Sequence, residues 1–503
     1  MDRLRHDPEE SKRKSLGFIL SLSAGWFGLQ QIFTVFFGSG YFYLASLGFR
    51  DTTISLMWLS GPSAGLFFQP VIGAMSDSCT HPWGQRRPFV VIGTLVLICA
   101  MLSLAWAEEI TTAFSPAPRW EISAREQDHH ASSWGLSTLV TASILVANFA
   151  IQPVQLGLRA MATDLVPIHQ QAQAQAWIAR LNLMGSLVGY GIGSADLAGK
   201  LPFLGHSQFQ ILCSLVSINL AICVSITCSL VQERRQTPLL SPKKPQRPLL
   251  VRLRELTVVR RVCVAQVFCW LAWFPFLYDI SKYVGGLQRD SNLRSNVGGV
   301  ASHKGDMTRA GSFAMLIFAS VSLVASVILP RLVVTPASSE FPDETRRKHR
   351  TWSFRKGFGS LRRIWLACQI IFCIGMMSTF IFDSLESAYV LAALTGIPWA
   401  AGTWIPFTLI SQDIRRAHGD MLGAVDGDDA EDLAATVVGI HNAAISAPQI
   451  AAALGSSLLF LLVSSQGPHG AGQNNGLEVW LLRAGGLSAL AGAWLIKKLP
   501  EGS

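Results

Sequence analysis

The stretch FVVIGTLVLICAMLSLAW, residues 89–106, contains no charged side chain. A helix needs about 20 mostly apolar residues to cross the ~30 Å hydrocarbon core of a bilayer, so this stretch predicts a membrane-spanning helix. In the 503-residue chain as a whole, 50% of the residues are hydrophobic and 15% are charged. Soluble domains carry about 25% charged residues, so lipid is the predicted solvent of most of this chain.

Comparable apolar windows recur on both sides of this stretch. The windows cover residues 15–47, 54–75, 89–106, 136–161, 174–193, 208–231, 262–284, 311–334, 364–382, 388–410, 435–463 and 479–496. The first window is longer than the ~7 to 15 apolar residues of a signal peptide and ends at no small-residue cleavage site, so we interpret it as a retained helix. The pattern predicts an all-α membrane fold with twelve transmembrane helices in two sets of six.

The distribution of basic residues predicts the orientation. Lys and Arg are concentrated before the first window, between the sixth and seventh windows, and between the eighth and ninth. Because such loops stay on the cytoplasmic side and the helix count is even, both termini are predicted to be cytoplasmic. The predicted organisation is a cytoplasmic tail at 1–14, a first six-helix half at 15–231, a basic linker at 232–261, a second six-helix half at 262–496 and a cytoplasmic tail at 497–503.

Several function classes find no support in the sequence. The basic runs lie beside apolar windows and carry no nucleic-acid recognition motif, so topology and anionic lipid account better for the net charge of +9. The nine cysteines form no CxxC pair and no zinc-like spacing with histidine. No nucleophile elbow, Walker loop or HExxH motif is present. We therefore predict no nucleic-acid partner, no metal, no cofactor and no catalytic residue, and a protein that is not an enzyme.

A charged motif surrounds the loop after the second window. Gly73 and Asp77 stand four residues apart, and WGQRRP follows at 83–88. An aspartate at a helix end that faces arginines can hold two elements together in one conformation and release them in another. We predict that Asp77, Arg86 and Arg87 form a cytoplasmic gate, with an inert topology signal as the alternative.

Polar residues follow one side of the fourth window. Asn148, Gln152, Gln155 and Arg159 are separated by three or four residues, which places them along one stripe of a helix. An arginine inside a membrane span must face protein or a water-filled cavity. We therefore predict that this stripe lines a substrate cavity.

A second polar group is predicted to line the same cavity and lies in the eleventh window. It consists of His441, Asn442 and Gln449. A histidine within a membrane also commonly makes a hydrogen bond between helices, which is the alternative to substrate contact. Tryptophans at four positions offer apolar faces on which sugar rings stack, but tryptophan is equally favoured at membrane interfaces. They are Trp270, Trp273, Trp399 and Trp404.

Longer stretches resemble one transporter family. They are LSGPSAGLFFQPVIG from Leu59, CWLAWFPFL from Cys269, RAGSFA from Arg309 and GIHNAAISAPQ from Gly439. In these stretches the sequence is similar to the sucrose and α-glucoside proton symporters of the major facilitator superfamily, and most similar to their fungal branch. The resemblance implies the major facilitator fold, a cavity between two six-helix halves, and uptake of an α-glucoside together with protons at the plasma membrane or the vacuole.

The chain departs from that family where protons are handled. The resemblance places acidic residues at three positions that are neutral here, namely Phe36, Asn148 and Gly286. A proton carrier needs a group that changes protonation near the working pH, and the residues of this kind that remain are Asp279, Asp164 and His441. Of these, Asp279 and Asp164 are the predicted candidates for proton coupling. Lys282 follows Asp279 by three residues on the same helical face, so a structural ion pair is the alternative for Asp279.

Three hypotheses for function remain open, each with a small molecule as ligand and the lipid bilayer as surroundings. The first is import of sucrose, maltose or a related α-glucoside, coupled to protons. The second, motivated by the neutral positions, is a facilitator or exporter of a non-sugar specialised metabolite, for which a position within a biosynthetic gene cluster would be a cheap discriminator. The third is a non-transporting receptor built on the same fold.

Overall fold

Long helices dominate the computed structural model. It describes residues 13–77, 79–114, 134–167, 170–197, 199–233, 256–295, 300–333, 360–419, 428–464 and 476–500. The helices, in chain order, are α1 (Leu16–Ser46), α2 (segments Asp51–Trp58, Ser60–Ser63, Ala64–Phe68 and Gln69–Asp77), α3 (Arg87–Ala105), α4 (Trp134–Leu165), α5 (Gln171–Ser194), α6 (Gln208–Leu230), α7 (Thr257–Ser295), α8 (Val300–Ile328), α9 (Leu361–Ser378), α10 (Leu385–Gly419), α11 (Asp428–Ser464) and α12 (Leu477–Lys497). The described ranges contain no β-strand, and the predicted all-α membrane class is confirmed.

Ten helices within the described ranges are long and apolar enough to cross a membrane. The exceptions are α2 and α5. No single segment of α2 reaches the length of a span. Helix α5 is long enough but begins with alternating glutamines and carries Arg180 and Asn182. All twelve predicted windows nevertheless coincide with helical elements, which agrees with the twelve-helix prediction.

Close packing of α1 against α5 and α6 depends on glycine. A Cβ on Gly185 of α5 would lie 2.5 Å from the carbonyl oxygen of Phe27 in α1. A Cβ on Gly28 of α1 would lie 2.9 Å from the Cα of Leu220 in α6. Because glycine lacks a side chain, the backbones of these helices approach more closely than any other residue would permit.

Several helices are locally interrupted. One π-helical turn lies within α1 at Phe36–Gly40 and another within α2 at Ala64–Phe68. Prolines lie inside several helices, namely Pro62 and Pro70 in α2, Pro153 in α4, Pro275 in α7, Pro398 and Pro406 in α10, and Pro448 in α11. Each proline removes a backbone donor and favours a bend, and π-helical turns are frequent near functional sites.

The helices group into two compact units. The first comprises Met1–Leu240, Leu277–Ala319 and Gln449–Glu478, and the second comprises Ser241–Phe276, Ser320–Pro448 and Val479–Ser503. The first unit therefore joins α1–α6 to parts of α7, α8, α11 and α12. The core of the second unit includes the fully buried side chains of Trp365, Ile405 and Ile496. The domain boundaries proposed from the sequence stay a prediction.

Candidate functional site

The predicted polar stripe of α4 lies in the first unit. Asn148 and Gln152 are both buried. The Nδ2 atom of Asn148 donates to Ser60 Oγ at 2.9 Å and to the carbonyl oxygen of Ile144 at 3.0 Å. Gln152 Nε2 donates to the carbonyl oxygen of Asn148 at 3.2 Å. The amide of Asn148 thus connects α4 to α2 by hydrogen bonds at the position where the resemblance places an acid.

The other two residues of the stripe lie further along α4. Gln155 and Arg159 are half-buried, and the Arg159 guanidinium carbon lies 5.7 Å from the ring centroid of Trp26 in α1. A guanidinium over an indole ring makes a cation–π contact that stabilises the charge away from bulk water. The stripe therefore contacts α1 at one end and α2 at the other.

Arg86 connects α3 to α4 and α2. Its Nε atom lies 3.1 Å from Asp164 Oδ2 at the end of α4, and its Nη1 atom donates to Ser76 Oγ at 2.9 Å. The structure thus brings together Arg86, predicted for the cytoplasmic gate, and Asp164, predicted for proton coupling. Asp77 is the last residue of α2, and its side chain lies outside the described part of the structure.

The beginning of α3 is held by Glu233, which the sequence analysis did not identify. Its carboxylate accepts from the backbone N–H groups of Arg86 at 2.9 Å and Arg87 at 3.0 Å. The first N–H groups of a helix have no partner inside the helix, so a carboxylate there satisfies them and also matches the helix dipole. Glu233 precedes two arginines of the basic linker, and no local pattern relates it to α3.

A buried ammonium group lies at the end of the first unit where α1 ends and α2 begins. Lys282 Nζ is 3.1 Å from Asp51 Oδ2 and 2.7 Å from Glu478 Oε1. The ring centroids of Tyr41 and Phe460 lie 4.7 and 4.5 Å from the same nitrogen. We name these five residues the Lys282 cluster, and we name this end of the first unit the Lys282 end.

The side chains of the Lys282 cluster are largely shielded from solvent. Lys282 is 9% exposed, Glu478 7% and Asp51 21%. Tyr41 Oη donates to Asp51 Oδ1 at 3.0 Å, so the carboxylate of Asp51 contacts two partners. Buried charges are strongly destabilising unless they are paired, and the two ion pairs provide this compensation.

Asp279 lies one helical turn before Lys282 on α7. It is half-buried and within electrostatic range of Lys282, Glu478 and Asp51. Among the described residues, Asp279 makes no hydrogen bond or ion pair, because Lys282 contacts Asp51 and Glu478 instead. Asp51 and Glu478 were missed because each stands in the first turn of its helix. An acid at this position is common, since the helix dipole stabilises it, and therefore does not by itself indicate an ion pair.

In the second unit, α7 presents an aromatic face. Trp270 and Trp273 lie three residues apart and both contact Trp399 of α10, with ring centroids 6.0 and 5.0 Å apart in edge-on geometry. Trp273 is buried, whereas Trp270 and Trp399 are half-buried. Trp404, the fourth tryptophan, packs against the hydrophobic core of the same unit.

A polar pair lies on the same helix. Gln266, four residues before Trp270, places its Nε2 atom 3.3 Å from Nε2 of His441 in α11. The His441 ring also meets the ring of Phe407 edge-on at 4.6 Å. A spacing of three or four residues puts the glutamine and both tryptophans on one side of α7. Gln266 was not identified from the sequence, although a lone amide in an apolar window is a usable signal.

The remaining predicted positions are described by their burial and their nearest neighbours. Asn442 is half-buried in the second unit, and Gln449 is half-buried in the first. Phe36 is buried and meets the ring of Trp58 edge-on at 6.1 Å. A side chain added at Gly286 would meet no atom within 4 Å. No group of three or more His, Cys, Asp or Glu residues in the described ranges could hold a metal ion.

Comparison with known proteins identifies a family for most of these helices. The sequence profile described as MFS/sugar transport protein matches residues 23–285, just over half of the 503-residue chain. The general alpha-glucoside permease of Schizosaccharomyces pombe is 28% identical, with 97% of this chain and 94% of the permease aligned. The sucrose transport protein SUT1 of Oryza sativa subsp. japonica is 25% identical, with 82% of this chain and 77% of SUT1 aligned.

Solved structures share the fold at low sequence identity. The nucleoside transporter NupG gives a TM-score of 0.57 at 12% identity, covering 96% of this chain and 99% of NupG. A D-xylose–proton symporter gives 0.55 at 13% identity, covering 97% of this chain and 98% of the symporter. These findings confirm the predicted family resemblance and the prediction of a secondary transporter rather than an enzyme. The chain is a multi-pass membrane protein that belongs to the MFS/sugar transport protein family.

Proposed function

We propose that this transporter imports sucrose, maltose or a related α-glucoside across the plasma or vacuolar membrane by alternating access. Both termini would lie in the cytoplasm, which places the Lys282 end on the outer side. The similarity to an α-glucoside permease over nearly the whole chain supports this cargo. Protons are the proposed coupling ion, and the surrounding lipid is the other proposed partner.

The observation that best supports a sugar cargo is the aromatic face of α7, with the buried pair of Gln266 and His441 about one helical turn before it. Trp270 and Trp399 are both half-buried, so neither residue is fully enclosed by protein. Sugar rings carry apolar C–H faces that pack on indole rings, and their hydroxyl groups need amide or imidazole partners such as Gln266 and His441. The stripe Asn148, Gln152, Gln155 and Arg159, together with Asn442 and Gln449, stays our proposal for the rest of the cavity lining.

Of the two candidate proton carriers, the contacts favour Asp279. Asp164 is already paired with Arg86, which suits a role in the proposed cytoplasmic gate of Asp77, Arg86 and Arg87. Asp279 is shielded and close to other charges, yet it makes neither a hydrogen bond nor an ion pair among the described residues. A carboxyl group inside a membrane protein is unfavourable and usually marks an ion or proton pathway.

Purified protein in proteoliposomes should accumulate radiolabelled sucrose or maltose when the outside is more acidic than the inside. Accumulation requires coupling, so a protonophore should reduce it to equilibration without abolishing exchange of labelled for unlabelled sugar. Uptake that is the same with and without the protonophore would exclude proton coupling. Absence of both uptake and exchange with any α-glucoside would exclude the proposed cargo.

Replacement of Trp399 by alanine should raise the KM for the transported sugar by about tenfold, equivalent to about 1.4 kcal/mol of lost stacking. Trp399→Phe keeps an aromatic face and should raise the KM much less. Trp134, which is 91% exposed at the beginning of α4, provides a matched control, and Trp134→Ala should leave the KM unchanged. Concentration-dependent uptake in the same vesicles gives all three values, and equal KM values for the alanine variants would contradict the assignment.

A second candidate function is the movement of a non-sugar specialised metabolite by a facilitator or exporter. The packing of Phe36 on Trp58 favours it, because an apolar contact occupies a position where the resemblance places a proton-handling acid. A facilitator equilibrates its cargo and does not respond to a pH gradient. Vesicles that equilibrate an amphipathic metabolite but no α-glucoside would support this candidate over the first.

A further inference from the structure

The Lys282 cluster and its neighbour Asp279 contain more carboxyl groups than the ammonium can neutralise. One cation, Lys282, lies among three acids, two in direct contact and the third, Asp279, within electrostatic range. Net charge held away from water is unfavourable, because neither the solvent nor a partner compensates it. A proton on one of the three acids would reduce this excess of negative charge.

The contacts of Lys282 connect helices from opposite ends of the sequence. Asp51 belongs to α2 and Tyr41 to α1, whereas Glu478 belongs to α12 and Phe460 to α11. A further hydrogen bond lies nearby, since Ser457 Oγ of α11 donates at 3.1 Å to the carbonyl oxygen of Thr52 in α2. If α1 and α2 separate from α7, α11 and α12 at this end, Lys282 loses Asp51 and keeps Glu478.

Asp279 is an acid on α7 that can replace Asp51 as a partner of Lys282. It stands three residues before Lys282 on α7, a spacing at which two side chains meet on one helical face. Because Asp279 and Lys282 lie on the same helix, a movement of α2 does not separate them. Asp279 also makes no hydrogen bond or ion pair among the described residues. It can therefore pair with Lys282 without first losing such a contact in that part of the chain.

We propose that Lys282 links proton binding to conformation by exchanging Asp51 for Asp279. When the Lys282 end is closed, Lys282 pairs with Asp51 and Glu478, and Asp279 carries the proton. When this end opens, the proton leaves the Asp279 carboxyl group to water, and the resulting carboxylate pairs with the ammonium. Lys282 keeps its own proton throughout, so one proton moves and no other bond changes.

This mechanism rests on the proposed proton coupling and assigns it a positioning residue. Protonation of Asp279 from the open side would free Lys282 to recapture Asp51, which would favour closure of that end. The charged and titratable groups around the ammonium are Tyr41 on α1, Asp51 on α2, Asp279 on α7 and Glu478 on α12. Helix α11 contributes the ring of Phe460.

The experiment measures the distance between α7 and the α5–α6 connection at the Lys282 end. Spin labels would be attached to cysteines at Leu293 and Phe203, which are 61% and 78% exposed, after replacement of the native cysteines, and read by pulsed EPR in liposomes without substrate. Wild type should shift from a short to a long distance as the pH rises. Asp279→Asn, which mimics the protonated acid, should keep the short distance at every pH, and Asp51→Asn should populate the long distance at low pH as well.

Transport supplies the second readout. In Asp279→Asn, accumulation driven by a pH gradient should fall about tenfold or more, while exchange of labelled for unlabelled sugar stays within about twofold. Asp196→Asn is the matched control, because it removes an ion pair with Arg309 in the same unit. Asp196 is 63% exposed and Arg309 36%, and exposed ion pairs contribute little to stability. It should respond to pH like wild type.

Two results would overturn the proposal. One is an Asp279→Asn variant whose distances still follow pH as wild type does, and the other is an Asp51→Asn variant with unchanged distances. If the wild type moves no α-glucoside, the proposed cargo fails, but the EPR measurement still tests the exchange of Lys282 because it needs no substrate.

Discussion

Replacement of Gly185 by valine should prevent α5 from packing against α1 and destabilise the first unit by about 3 kcal/mol or more. The added Cβ would lie 2.5 Å from the carbonyl oxygen of Phe27. A flexible side chain could move aside, but a helix backbone cannot move without displacing its neighbours. The expected result is a large fall in the midpoint of thermal unfolding in detergent and a loss of monodisperse protein on size-exclusion chromatography.

Gly191 provides the control on the same helix. A Cβ there would approach only Leu316 Cδ1, at 3.7 Å, which is an ordinary van der Waals distance. Gly191→Ala should therefore unfold at the wild-type midpoint or slightly above it, since alanine favours a helix over glycine by about 1 kcal/mol. Equal stability of Gly185→Val and Gly191→Ala would show that α1 and α5 do not pack closely at Gly185.

Replacement of Lys282 by methionine should destabilise the protein by about 3–5 kcal/mol, because it leaves two buried carboxylates without their cation. Methionine keeps most of the side-chain volume, so the loss of stability measures the effect of the charge and not of packing. Thermal unfolding in detergent at neutral pH measures the effect. Asp196→Asn, which removes one of the two acidic partners of Arg309, should shift the midpoint by much less.

A combined variant separates the ion pairs from other roles of Lys282. If the loss in Lys282→Met arises from unpaired carboxylates, adding Asp51→Asn and Glu478→Gln should restore much of the stability, as expected for neighbours whose effects are not additive. Failure of the triple variant to recover any stability would indicate that Lys282 acts mainly through its contacts with Tyr41 and Phe460.

The helices of this fold follow directly from local composition. Residues 89–106 illustrate this, because an uncharged stretch of spanning length has few alternatives to a helix in lipid. The close approach at Gly185 also has a local signal, because Gly185, Gly189 and Gly193 follow one another at four-residue spacing. The line of Asn148, Gln152 and Arg159 along α4 follows from helical periodicity alone.

The partners of the charged residues were much harder to predict. The sequence left two roles open for Asp279, proton coupling and an ion pair with Lys282, its near neighbour on one helix. The structure instead pairs Lys282 with Asp51 and Glu478, which are distant along the chain. Helical periodicity predicts which side of a helix a residue occupies, but not which other helix lies there. Glu233 at the start of α3 was missed for the same reason.

The π-helical turn at Phe36–Gly40 has a consequence for α1 as a whole. A π-helical turn accommodates one residue more than an α-helical turn, so it rotates the face presented beyond it by about 100°. The part of α1 before the turn carries Phe27, which packs on α5, and the part after it carries Tyr41, which contacts Asp51 and Lys282. A single helical wheel therefore cannot describe α1, because the face that packs on α5 and the face that contacts the Lys282 cluster are offset by this rotation.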